Sequence, residues 1–428
     1  MERHLALRQL AHQFSFEVSC EQFLQHWEEN VSTLRGCRMV LSDTRLGWNP
    51  LPGSLSTQAF CTAPPAFLSG YFSAPHFVFF NERLIAKGLT VDAMHGVEVD
   101  VSVSLDSNFV GAIHKFMSGS SLQEQGPAFL EAAAYLLNHR IPMDVLPYVC
   151  ENFQEARQCP KRRTLVIRGM ASFIRFSTGT VRTPRPSGLE DFTFAMSKVA
   201  ADAYAERTLH EILMGPAVVD QQTRLLLHRQ EVHLTLLLIA IEYYKHQYAS
   251  MSEKLRWLLQ ELETRVGRVP HRELMFAYRA FGAEPDPFFE HNWPKNYNRS
   301  KNIVDLVRNM AWDISFYRIL ETMATTTKRG EFFLPFFLTF DRRLAALHSI
   351  YSTRLLLMDS LDKQVYSTGP ISMRSEFIRA GLWESIAEFF HPQRIVARMR
   401  RRANYETLFV QCREAESELH RIAHNKPI

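Results

Sequence analysis

The chain has 428 residues, a net charge of +4, and is 46% hydrophobic and 22% charged. That composition excludes a largely disordered chain, and the length excludes one that needs disulfide or metal staples to hold a core. Two or three domains fit, or one domain with a large insertion. The mildly basic charge permits a nucleic-acid partner without demanding one.

Residues 1–95 form a mixed N-terminal accessory segment. Phe14 to Leu34 has helical apolar spacing, and the stretches 47–53, 64–65 and Gly70 break regular structure. Met1 to Arg8 lacks an apolar core of leader-peptide length, so no secretory signal is expected. From Val97 to Asp106 apolar and polar residues alternate, which predicts a strand. A helical pattern follows directly, from Phe109 to Met117. A strand that ends at an aspartate and passes into a helix belongs to an α/β fold, where ligands bind at the carboxyl ends of strands.

Two helices are predicted next, Phe129 to Asn138 and Asp144 to Glu155. Residues 159–190, with Lys161-Arg-Arg163, Gly179, Pro184 and Pro186, read as a loop. From Leu189 to Phe281 the chain reads as helical, in segments 200–213, 220–248 and 252–266. The most apolar run, Leu234 to Ile241, is far too short to span a bilayer and reads as a buried helix. Residues 282–302 read as a loop. Ile303 to Met323 reads as a helix, the run from Phe332 as a buried strand ending at Asp341, and residues 342–428 as mostly helical.

The six cysteines, Cys20, Cys37, Cys61, Cys150, Cys159 and Cys412, form no Cys-x-x-Cys pair and no Cys/His cluster. A zinc site is therefore poorly supported, and reduced thiols in a cytoplasmic protein are expected. Phosphate-binding glycine loops, nucleophile elbows and His-Glu-x-x-His are all absent.

Four acids sit at informative places: Asp106 and Asp341 at strand ends, Glu151 and Asp313 on helices. Strand-end aspartates lie side by side if their strands are neighbours in a parallel sheet, and helix-borne acids above that edge would complete a cage of hard oxygens. Such a cage suits Mg²⁺ or Mn²⁺, used to activate water and to offset charge during attack on a phosphodiester. Each acid has a plainer reading. Asp106 caps the following helix, Glu151 is a solvated helix residue, Asp313 pairs with an arginine such as Arg308 or lies on the exposed face of its helix, and Asp341 caps a helix beginning at Arg342. Glu231 and Glu242 compete with Glu151.

The segment Val101-Ser-Val-Ser-Leu-Asp-Ser-Asn-Phe-Val110 resembles the opening motif of PIN-like (PilT N-terminus type) nucleases, a hydrophobic strand, Asp-Thr-Asn and a helix, with Ser107 in place of Thr. Trp312-Asp-Ile resembles the family's third acidic motif and Thr339-Phe-Asp341 its fourth, and Glu151 falls where its helical glutamate is expected. The resemblance implies an α/β fold with a three-layer core and a central parallel sheet, built from residues 96–156 and 303–350. A large helical insertion, 157–302, and a helical C-terminal region, 351–428, would be added to it. It implies metal ligation by Asp106, Glu151, Asp313 and Asp341, with Asn108 and Thr339 orienting the acids.

The implied activity is endonucleolytic cleavage of RNA rather than DNA, in the manner of a toxin or defence effector, with the insertion capping the site or dimerising. A regulatory protein partner is also compatible with that insertion. The second reading is a helical interaction or regulatory protein whose PIN-like core is structural. Basic residues propose nucleic-acid contacts at Arg394, Arg398, Arg400, Arg401 and Arg402, and at Lys295 and Arg299 among aromatics. No membrane partner is expected.

Overall fold

The computed structural model describes residues 2–15, 20–43, 67–74, 76–87, 97–183, 186–214, 216–246, 248–282, 303–326, 330–341, 344, 346–400 and 404–424. It is a mixed α/β protein. The chain separates into two compact units, one of residues 1–219 and 319–370, the other of 220–318 and 371–428. Strands from residues 37–80 pair into the first unit's sheets with strands from residues 332–368.

Helices α1 (Glu2–Phe14) and α2 (Cys20–Glu29) open the first unit. The strands are β1 (Cys37–Asp43), β2 (Phe67–Gly70), β3 (His76–Phe80), β4 (Val99–Leu105), β5 (Met143–Asp144), the hairpin β6 (Gly179–Val181) and β7 (Phe192–Phe194), β8 (Phe332–Thr339), β9 (Leu355–Asp359) and β10 (Gln364–Thr368). One sheet has the order β10-β9-β1-β3 with all neighbours antiparallel. Helices α1 and α2 bury Leu7, Phe14, Phe23 and Trp27 against it. The expected helix from Phe14 to Leu34 is replaced by α2 and one turn of helix at Val31–Leu34, with α1 ending where it was to begin.

The second sheet has the order β2-β8-β4-β5. Strand β4 runs parallel to both β8 and β5, while β2 joins β8 antiparallel, so the expected parallel sheet is a mixed one with an antiparallel edge. Strand β8 is buried along its whole length, which explains its continuous apolar run. Pro335 is tolerated there because β2 pairs only from Phe336 onward.

The helices after β4 are α3 (Ser107–Met117), α4 (Gly126–Asn138), α5 (Leu146–Gln158), α6 (Pro160–Ser177) and α7 (Lys198–Met214). Helix α6 replaces the loop expected over 159–190. Pro160 starts it rather than breaking it, and Val166, Met170, Phe173 and Phe176 are buried at helical spacing. Gly169 lets α5 approach, since a Cβ there would lie 2.5 Å from the Tyr148 hydroxyl oxygen. The C-terminal region, expected to be mostly helical, also supplies β9 and β10 to the first sheet.

The second unit is helical: α8 (Pro216–Lys245), α9 (Met251–Glu261), α10 (His271–Phe281), α11 (Ile303–Thr325), α12 (Pro392–Arg400) and α13 (Tyr405–His424). Helix α8 begins, and α11 ends, within the first unit's residues. The run Leu234 to Ile241 is buried, as expected, and among the described residues no helix is long and apolar enough to cross a membrane. Charged residues share this interior. Glu231, Glu242, Lys254, Arg272 and Glu273 are all buried, and the ion pairs Arg268–Glu231 and Arg318–Glu273 show that such charges are matched rather than isolated.

Candidate functional site

The parallel register of β4 and β8 sets Leu105 opposite Leu338, which brings the two strand ends side by side. Asp106 follows β4 and caps α3, its Oδ1 accepting a hydrogen bond from the Phe109 N–H at 2.6 Å. Its Oδ2 accepts from the Thr339 hydroxyl, also at 2.6 Å. Thr339 Oγ1 in turn accepts from the Asp341 N–H at 2.8 Å. One buried threonine thus fixes both strand-end aspartates, and the ordinary capping role of Asp106 is real alongside any other.

Glu151 reaches the same place from α5, where its carboxylate accepts a hydrogen bond from the Ser107 hydroxyl. The Asp106 carboxyl is pushed up to about 6. Burial is the main cause. The bonds from Thr339 and Phe109 oppose it, and the negative charges of Glu151 and Asp341 add to it. The Tyr148 phenol, one turn before Glu151, is pushed up to about 12 by burial and by the Glu151 charge.

Asn108 is exposed on the first turn of α3. Asp313 stands in the second unit. It is half-buried and raises the Tyr317 phenol, which burial raises most and the Arg272 charge lowers. Arg308 pairs with Asp305 and Glu416. The structure therefore gathers Asp106, Glu151, Asp341 and Thr339 in one unit and sets Asp313 among groups of the other. The competitors Glu231 and Glu242 also belong to that other unit. Glu231 pairs with Arg268, and Glu242 with His246 at 2.6 Å.

Of the proposed basic contacts, Arg394 pairs with Glu263 at 2.5 Å and with Glu388 at 3.0 Å. Arg398 is buried and bonded to Glu263 and the Phe389 carbonyl. Lys295, Arg299, Arg401, Arg402 and the side chain of Arg400 lie outside the described residues, as does a helix beginning at Arg342.

Sequence reasoning missed Asp144. It ends β5 beside β4, accepts bonds from Ser102 at 2.7 Å and from Ser104 at 2.9 Å, and takes the Leu146 N–H at 3.1 Å. The signal was present, because the polar members of the β4 alternation, Ser102 and Ser104, share one face of the strand.

The donor set offers hard oxygens from three elements, which suits a divalent cation of the Mg²⁺ or Mn²⁺ type. Among the described residues no three His, Cys, Asp or Glu side chains are disposed around a common point as a ready metal shell. Fit therefore rests on donor chemistry and on Asp106, whose buried charge a cation would compensate. Comparison of the chain with protein-family models, curated proteins and solved structures returns no match.

Thr339 gives a direct test of this construction. Thr339→Val is expected to destabilise the protein by about 1–3 kcal/mol, because it leaves buried polar groups unbonded. It is also expected to push the Asp106 carboxyl higher still, since the Thr339 bond holds it down. Thermal melts and titration of the variant check both.

Proposed function

We propose that this chain is a PIN-like, metal-dependent endonuclease that hydrolyses phosphodiesters, RNA in preference to DNA. What supports the reading is the convergence of Asp106, Glu151 and Asp341 at the ends of two parallel strands, with Asp106 held almost out of water. Such a group is costly as structure alone and belongs where charge chemistry is needed. Asp106, Glu151 and Asp341 would hold Mg²⁺ or Mn²⁺ there, which supplies compensation for charge developing on the phosphate.

The chain's own contribution is positional. Thr339 locks the Asp106 carboxylate, the Asp341 backbone is tied to the same hydroxyl, and Ser107 orients Glu151. Glu151, the exposed acid of the three, accepts the proton that water loses as its oxygen bonds to phosphorus. The departing ribose oxygen takes its proton from solvent.

A second reading follows from the cap that Asp106 makes. In it, the same contacts only join a helix to a sheet in a helical interaction or regulatory protein. Purified protein incubated with single-stranded RNA and DNA, in Mn²⁺, Mg²⁺ or EDTA, separates the two. Cleavage that needs the cation and disappears in Asp341→Asn is expected. Cleavage that persists in EDTA, or no cleavage of either strand by the wild-type chain, rules the nuclease reading out.

A further inference from the structure

Helix α6 carries an exposed face that this site has not yet used. Two contacts fix its position. His114 Nδ1 lies 2.9 Å from Ser172 Oγ, and Phe116 and Phe176 both pack on Phe129. Helices α3 and α6 therefore pack against each other, with Phe129 between their aromatic residues. Helix α5 places Leu165 near the site, because the Tyr148 hydroxyl donates to the Leu165 carbonyl at 3.4 Å and Tyr148 lies one turn before Glu151, whose carboxylate accepts from the Ser107 hydroxyl.

Lys161 and Arg168 lie one turn to either side of Leu165 on one stripe of α6, and all three side chains are exposed. Leu165 leaves 46% of its surface in water, unusual for a leucine on a packed helix. The neighbouring cations are engaged elsewhere. Arg162 pairs with Glu155, and Arg163 donates to the carbonyls of Ala156 and Arg157. Among the described residues Lys161 and Arg168 have no acidic partner. The first turn of α6 contains no acid, so its cations face the positive end of the helix dipole, an arrangement that an external anion relieves.

We infer that Lys161, Leu165 and Arg168 form the track for a single-stranded nucleic acid entering the acidic site. The two cations would contact successive phosphates and Leu165 would lie against a base. The inference rests on the nuclease reading for its substrate class. It differs from that reading in what tests it, because binding is measured without turnover.

The experiment is fluorescence anisotropy of labelled single-stranded RNA and DNA with the full chain in EDTA, across a salt series. Lys161→Glu/Arg168→Glu is expected to weaken binding about tenfold at 0.15 M salt and to flatten the salt dependence by roughly 1.4 in log–log slope, the share of two phosphate contacts on a single strand. Lys161→Gln/Arg168→Gln should weaken it less, in the same direction. Lys87→Glu, an exposed cation at the end of a short helix elsewhere, should bind as wild type. Matching thermal melts establish that the variants fold. Unchanged affinity and slope in the charge-reversed variant, or no binding of either strand by the wild-type chain, overturns the inference. Binding that behaves as expected without any cleavage sinks the nuclease reading alone. Normal cleavage with unchanged binding sinks the track alone.

Discussion

Asp106→Asn is expected to lower cleavage by at least about a hundredfold while leaving the protein as stable as before, or more so, at pH 7.5. The two effects have one cause. Burial and the charges of Glu151 and Asp341 lift the Asp106 carboxyl from 3.8 to about 6. At 1.36 kcal/mol per pKa unit, its ionised form costs the folded state about 3 kcal/mol.

Above pH 6 the folded and unfolded chains both carry the charge, and the cost is present in full. Between 6 and 3.8 the folded chain takes up a proton that the unfolded chain does not, so the cost fades as pH falls. Below 3.8 both are protonated and none remains. Asparagine removes the charge and keeps an oxygen for the Phe109 N–H. It gives the Thr339 hydroxyl a poorer partner, which offsets part of the gain. The stability of Asp106→Asn relative to wild type should therefore be greatest above pH 6 and should vanish near pH 4. Urea midpoints across that range read it. A variant that melts lower than wild type at pH 7.5 and cleaves normally would make Asp106 a structural cap and nothing more.

The strand and helix around Asp106 were legible because hydrophobic spacing changes from two to about 3.6 at that residue. Helix packing is carried by neighbours in sequence, so most helices of the second unit were legible too. The antiparallel sheet was not. Met39-Val40-Leu41 and Leu355-Leu356-Leu357 are short apolar runs without alternation, and the register that pairs Leu41 with Leu355 spans most of the chain. Helix α6 was hidden by the three consecutive cations from Lys161 to Arg163 and by Gly179, Pro184 and Pro186 beyond its end, which together punctuate loops as often as they flank helices. At the site, the local motifs of Asp106 and Asp341 survived folding into one place. Asp313 sits in a motif just as plausible, on a helix that begins in the second unit and ends among the first unit's residues.

The run of arginines at 394–402 shows the same limit, and it yields the second large expected effect. Read alone it is a phosphate-binding stripe. In the fold, Arg398 is buried and bonded to Glu263, a residue 135 positions earlier, and Arg394 shares that carboxylate. Removing Glu263 strands the buried Arg398 guanidinium, and leaving a buried charge without its partner costs about 3–5 kcal/mol. Glu263→Gln is therefore expected to lower the melting temperature by roughly 10 °C, given a unit of this size. Arg394→Gln should cost only about 1 kcal/mol, because its side chain is partly in water, 37% exposed, and its pairs are screened there. Replacing Glu263 and Arg398 together with methionine should recover most of the loss, since two desolvated charges are exchanged for apolar packing. Calorimetry of the three variants measures this. If Glu263→Gln melts with wild type while Arg398→Gln weakens nucleic-acid binding, the arginine faces a ligand and the sequence reading of that run is restored. If the double methionine variant regains stability and binds nucleic acid as wild type does, the run serves the core of the helical unit.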